Sequence, residues 1–151
     1  MDYRQEAKKL KEAGCRTFWF GPAPDAEVDR LGQLLGVSLP EPFRAFLASV
    51  GGGGVEGVEI AGIDGAADTE GFGTVSGDTL RLRDGFGIAP TLVVLRVDSE
   101  EFAWCLDCSP AGAGRVVGLV LGPVGSPSTE ADTFEEYFRE YVEEQLTIAA
   151  L

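Results

Sequence analysis

Apolar residues recur along this chain with two periods, and the change from one to the other divides it. Near the start, Leu10 follows a Lys/Glu-rich stretch and marks a short amphipathic helix, after which "CRTFWF" (15–20) alternates as a brief strand and "GPAPD" (21–25) breaks it. Val28, Leu31 and Leu35 then recur at helical spacing. Asp25, Glu27 and Asp29 supply acids to the first turn, where the macrodipole favours them, and Gly36 ends the helix. In "VSLPEPFRAFLASV" (37–50) the residues Phe43, Phe46, Leu47 and Val50 form one helical stripe, with two prolines tolerated at the start because early helical N–H groups have no acceptor. Gly51 to Gly54 read as the cap of that helix and a flexible turn; no Lys-Ser/Thr follows them, as a phosphate loop would require.

From Val55 to Leu121 the pattern becomes short β-like runs between Gly, Asp and Pro: "VEGVEIAGI", "TLRLR", "TLVVLRV", "EFAWCL" and "RVVGLVL", with "VDSEE" as the turn between the third and fourth. The segment "DGAADTEGFGTVSGD" (64–78) reads as a long acidic loop. Helical periodicity returns in "TFEEYFREYVEEQL" (133–146), where Thr133 and Glu136 make a capping box and Phe134, Tyr137, Phe138, Tyr141 and Val142 one apolar face. Helices first and strands afterwards, without βαβ alternation, predict an α+β fold in a single domain over 1–151. Its sheet is largely antiparallel or mixed, of about five or six strands, packed with N-terminal helices and a C-terminal helix. The stripe Leu39, Phe43, Phe46, Leu47 and Val50 is expected to meet Phe134, Tyr137, Phe138 and Tyr141 against one face of that sheet.

Charge narrows the possible partners. The chain carries a net charge of −13, from 25 acidic against 12 basic residues with no histidine. Nucleic acid and anionic membrane are thereby disfavoured, and a basic protein surface or plain solubility is left. Seven of the acids fall between Glu130 and Glu144, against Arg139 alone. The polar opening "MDYRQEAKKLKEAG" is not a secretory signal and no apolar run approaches the length of a membrane span, so the expected location is cytoplasmic.

The residues richest in chemistry are Cys105 and Cys108, a C-x-x-C beside Trp104. A thiol oxidoreductase needs the first of them at a helix N-terminus, which lowers its pKa. "SPAGAGRVVGLVLG" after Cys108 reads instead as a loop and a strand, and Pro90-Thr91 precedes the pair where thioredoxin relatives place such a step after it. Strand alternation puts Cys105 and Asp107 on one face, Trp104 and Leu106 on the other. Three cysteines without histidine make a poor zinc site, and no cofactor or metal is expected. The absence of histidine also removes the usual base for a serine or cysteine nucleophile, and the carboxylates around Ser99 read as a charged turn.

The order of elements resembles the SUKH superfamily, in the branch that joins fungal cell-wall-synthesis regulators to bacterial immunity proteins. The resemblance covers about residues 18 to 146. It is carried by the helix ending in Leu35-Gly36, the Leu39-Pro40 step, Phe43, Phe46-Leu47, the glycine-rich helix end at Gly51 to Gly54, Leu106-Asp107 after a strand, and the phenylalanine-led helix at Phe134. The chain departs from that pattern in "SVGGGG", which replaces an asparagine-glycine helix end, and in the cysteine after Leu-Asp.

The resemblance implies a bacterial, non-enzymatic immunity protein that binds and neutralises a cognate toxin domain, of nuclease or deaminase type, and is itself a monomer or weak homodimer. It also implies that the cysteine pair is incidental. An acidic binder suits a toxin with a basic cleft. The candidate contact residues are Asp64, Asp68 and Glu70 in the long loop, Asp84 in the "RDG" turn, and Glu100 and Glu101 before Trp104, with the acidic face of 135–144 as the rival patch. The glycines Gly65, Gly71 and Gly73 would let the long loop adjust to its partner. Two other classes remain open: a regulatory scaffold like the fungal members, and an enzyme, either a thiol oxidoreductase using Cys105 and Cys108 or a carboxylate hydrolase.

Overall fold

A computed structural model describes residues 1–122 and 126–151. The elements run α1 (Tyr3–Glu12), β1 (Thr17–Trp19), α2 (Asp25–Leu35), α3 (Glu41–Val50), β2 (Gly53–Val55), α4 (Val75–Phe86), β3 (Leu92–Asp98), β4 (Phe102–Asp107), β5 (Val116–Val120), β6 (Ser128–Ala131) and α5 (Phe134–Ala149). Several helix ends have a local cause. The Asp2 carboxylate accepts from the Gln5 N–H at 3.1 Å, and the Thr133 hydroxyl accepts from the Glu136 N–H at 3.1 Å. Helices α2 and α3 end on Gly36 and Gly51 at φ of 71° and 76°, the left-handed caps glycine adopts without a Cβ clash.

The fold is α+β, as the order of patterns predicts, with every strand pair antiparallel. The six strands form two sheets: β3-β4-β5-β6 in order, and the small pair β1-β2. Alternation gives the larger sheet two buried faces. Val93, Leu95, Leu106 and Val116 join a core with α1, α2, α3 and α5, in which Leu39, Phe43, Phe46, Leu47 and Val50 meet Phe134, Tyr137, Phe138 and Tyr141 as expected. On the opposite face Val94, Ala103, Cys105, Val117 and Leu119 pack with Leu82 of α4. Cys105 therefore lies opposite Trp104 and Leu106, as the alternation predicts.

Several readings need correction. "VEGVEIAGI" is not one strand, since β2 ends at Val55 and a turn follows, and the last residues of the 64–78 segment, Val75 to Asp78, already belong to α4. "TLRLR" is no strand, and Asp84 is in no turn: both lie within α4, which opens on a Thr74 cap whose hydroxyl accepts from the Gly77 N–H at 3.1 Å. The buried stripe of α4 is Val75, Asp78, Thr79 and Leu82, at helical spacing but half polar, and the Thr79 hydroxyl accepts from the Val94 N–H at 2.9 Å on the edge of β3. The glycine run caps α3 at Gly51 but then continues as β2. It is closely packed against other backbone and Tyr141. A Cβ on Gly51 would strike the Gly21 carbonyl, one on Gly53 the backbone at Phe18 and Trp19, and one on Gly54 the Tyr141 hydroxyl. Among the described residues no helix is long and apolar enough to cross a membrane.

Candidate functional site

The segment between β2 and α4 forms the mouth of a cleft, and it is pinned rather than adjustable. The Ala61 N–H donates to the Leu95 carbonyl at 2.7 Å, Ile63 N–H to Gly51 at 2.9 Å, and Gly62 N–H to Gly73 at 3.0 Å. That Leu95 carbonyl is free because a bulge between Val94 and Arg96 interrupts the β3 ladder. Further on, the hydroxyls of Thr74 and Ser76 both donate to the Thr69 carbonyl, and the Ala67 N–H donates to Glu27 at 3.0 Å. Asp78 accepts from the Gly73 N–H at 3.3 Å and from Arg81 at 2.9 Å. Burial raises the Asp78 carboxyl above its ordinary value, and Arg81 and the Gly73 N–H act against that rise.

On this scaffold stands Phe72, 82% exposed, with the Arg81 guanidinium 4.4 Å from its ring centre. Phe72 and Arg81 separate two hollows. One, of about 470 Å³, is lined by Phe18, Phe20, Val58, Arg96, Val97 and Glu100 among others. Phe18 and Phe20 meet edge to face at 5.0 Å. The second hollow, of about 650 Å³, is flanked by Glu70, Leu80, Arg83 and Asp84. Ser99 and Glu100 form the tip of the β3–β4 hairpin at φ of 52° and 57°, with the Glu101 N–H closing the turn on the Asp98 carbonyl at 3.0 Å. That strained geometry fixes Glu100 at the rim.

The six acids singled out in the sequence therefore divide. Glu70, Asp84 and Glu100 line the two hollows around Phe72. Asp64, Asp68 and Glu101 are exposed outside them, and Asp68 pairs with Arg30 at 3.0 Å. Sequence reasoning missed Phe72, Phe18, Leu80 and Arg81, the apolar and basic parts of the same surface. The available signal was Phe72 itself: a large aromatic isolated in a glycine-rich acidic loop has no apolar periodicity to place it in a core.

The cysteine pair has the opposite character from a thiol catalyst. Burial pushes the Cys105 thiol up to about 12, with Cys108 adding to the effect; burial and then Asp107 do the same for Cys108, also to about 12. Catalytic thiols are shifted downward instead. Cys108 is followed by turns over 109–114 and then β5, with no helix to lower its pKa. Among the described residues no group of three or more His, Cys, Asp or Glu side chains is arranged to hold a metal ion.

The surface around Phe72 thus combines an exposed aromatic with arginines held by Asp78 and Trp104 and with nearby carboxylates, and offers apolar area and charge of both signs. A search of curated proteins finds no significant match. The family model described as "SMI1-KNR4 cell-wall", SUKH_5, matches residues 7–143, from within α1 to within α5. With nearly the whole helical and strand framework inside that match, the chain belongs to the SMI1-KNR4 family of the SUKH superfamily.

Proposed function

We propose that this protein is a non-enzymatic immunity protein that binds a cognate basic toxin domain and neutralises it through the surface centred on Phe72. The observation that carries this reading is Phe72 itself: it is 82% exposed on a loop pinned by backbone hydrogen bonds. An aromatic exposed on a hydrogen-bonded segment offers a large apolar area with few rotatable bonds to immobilise on binding, which suits an interface hot spot. Glu70, Asp84 and Glu100 surround it, and the net charge of −13 steers a cationic partner toward any face of the molecule. The bacterial side of the family resemblance supplies the toxin as the partner class. Asp64, Asp68 and Glu101 contribute to the field, not to the central contact.

The experiment is co-expression of a candidate basic toxin domain with and without this protein, scored by cell survival. Protection is expected from the native chain. Phe72→Ala should weaken binding of the purified pair by about 2 kcal/mol, near a thirtyfold loss. Changing Glu70, Asp84 and Glu100 together to lysine should slow association and reduce its dependence on salt. Absence of protection by the native chain rejects the immunity role for that pair, and undiminished binding by both variants rejects the surface.

The family description as a cell-wall group favours a second reading, a regulatory scaffold that uses the same surface without a toxin. Capture of a defined endogenous partner in a strain lacking the toxin gene, lost in Phe72→Ala, would select it.

A further inference from the structure

The two sheets have four outer edges, and three of them are closed or protected. β3 is covered: the Val94 N–H donates to the Thr79 hydroxyl at 2.9 Å, and the Leu95 carbonyl accepts from the Ala61 N–H at 2.7 Å. β6 carries Glu130 and meets β5 through an irregular register, two features that discourage further pairing. β2 turns its outer side to Ile60 and Tyr141. The Gly53 N–H donates to the Ile60 carbonyl at 2.8 Å, the Ile60 N–H returns to Gly53 at 3.0 Å, and the Val55 N–H donates to the Tyr141 hydroxyl at 2.8 Å. The fourth edge is β1, which pairs with β2 alone.

The ladder to β2 fixes which way the main chain of β1 points. In an antiparallel pair each residue directs both of its main-chain groups to one side, alternately toward its neighbour and away. The Glu56 N–H donates to the Arg16 carbonyl at 2.9 Å and the Phe20 N–H to Gly52 at 3.0 Å, so Arg16, Phe18 and Phe20 face β2. Thr17 and Trp19, opposite Val55 and Gly53, face away. Among the described residues no main-chain hydrogen bond reaches the N–H or C=O of either, and both residues are only half-buried. Two donors and two acceptors thus stand in register along an edge that has no proline, bulge or inward charge to block it. The Phe18 side chain is likewise open across the ladder: it is 51% exposed, and Gly54 opposite it has no side chain.

We propose that β1 accepts an extended segment of a partner protein as an added antiparallel strand, bonded to the main chain of Thr17 and Trp19 and setting one apolar side chain beside Phe18. The partner class is that of the protein-binding reading above, on which the biological meaning rests. A second copy is the poorer occupant. Two chains of net charge −13 repel, and an edge of three residues buries far less than the roughly 1,200 Å² of a stable dimer. Such an edge serves as one part of a larger interface, and Phe18 also lines the first hollow with Phe72. The same net charge favours basic residues on either side of the added strand.

The probe is the peptide acetyl-Lys-Val-Phe-Val-Lys-amide, titrated into the ¹⁵N-labelled full chain. In the antiparallel register its phenylalanine lies opposite Phe18 and its valines bond Thr17 and Trp19. A saturable shift of the Thr17 and Trp19 amides is expected, with Kd on the order of 1 mM. N-methylation of both valines should weaken binding about tenfold or more, whereas N-methylation of the phenylalanine, whose N–H points away from β1, should change it less than about twofold. Glutamate in place of the lysines should weaken it about threefold or more. Thr17→Pro removes an edge donor without touching the ladder to β2 and should abolish the Trp19 shift, and Phe18→Ala should weaken binding about threefold or more. The methylated peptides leave the protein unaltered, so the result does not depend on how either variant folds. No saturable shift, equal loss from the two methylations, or undiminished binding with glutamate or in both variants overturns the proposal. A dimer of the free protein in sedimentation that Thr17→Pro disperses also overturns it, by assigning the edge to a second copy. Its failure leaves the neutralisation reading intact, and failure of the co-expression experiment leaves this one intact.

Discussion

Replacing Tyr141 by phenylalanine removes a single oxygen that joins the C-terminal helix to the glycine crossing. That hydroxyl accepts from the Val55 N–H at 2.8 Å and donates to the Val58 carbonyl at 3.0 Å. A hydrogen bond of this kind contributes about 1 kcal/mol net, and a buried group left unpaired costs about 1–3 kcal/mol. Val55 and Val58 are half-buried, so water recovers part of the loss and the expected destabilisation is about 2 kcal/mol for the pair. For a chain of this length that lowers the melting temperature by about 4–8 °C.

The neighbouring Gly54 sharpens the test. Its φ is 148°, and a Cβ there would overlap the Tyr141 hydroxyl, so Gly54→Ala alone carries both backbone strain and a clash. In the Tyr141→Phe background the clash is relieved in part while the strain remains, and the two changes should sum to less than their separate losses by about 0.5 kcal/mol or more. Urea unfolding followed by circular dichroism measures all four proteins. A Tyr141→Phe loss below about 0.5 kcal/mol, together with strict additivity, would refute the claim that this hydroxyl ties β2 to α5.

Phe46 is fully buried, with Phe134 at 4.9 Å, Phe138 at 5.2 Å and Tyr3 at 5.5 Å between ring centres. Phe46→Ala should therefore cost about 3–5 kcal/mol by the same unfolding measurement, and a loss under about 1 kcal/mol would remove it from the core. Alkali should weaken the fold through Cys105: the folded state keeps a proton that the unfolded thiol releases near its ordinary pKa of about 9. Stability is thus full below that pH and declines as pH rises toward about 12. Cys105→Ala should flatten the decline by up to one proton, about 1.4 kcal/mol per pH unit, and an unchanged slope would contradict the burial of that thiol.

What the sequence disclosed was set by how each element earns its stability. α3 and α5 were legible because their buried faces are continuous stripes of Phe, Leu, Val and Tyr, and β3 to β5 because both faces of the sheet are covered and the runs are nearly all apolar. α4 is hidden in the sequence because Asp78 and Thr79 occupy its buried stripe and the alternation of Leu80 with Leu82 in "TLRLR" imitates a half-buried strand; Leu80 is in fact exposed. β6, "STEA", has no apolar pattern, being an exposed edge held by main-chain pairing to β5. For the candidate site, composition disclosed the acids but not their grouping. Glu70, Asp84 and Glu100 come together from a loop, a helix and a hairpin tip, a convergence that only tertiary contacts create.

The aromatic core has a consequence for how the molecule comes into being during synthesis. Tyr3 lies against Phe134 and Phe138, and its hydroxyl donates to the Pro42 carbonyl at 3.0 Å, so α1, α3 and α5 meet at one point. Until α5 has left the ribosome, Phe43 and Phe46 have no Phe134 or Phe138 to pack against, and the β2 segment lacks the hydroxyl that ties it down. The growing chain therefore keeps that apolar face uncovered until α5 is made, and the contacts that complete the core and tie down β2 are among the long-range ones that form last.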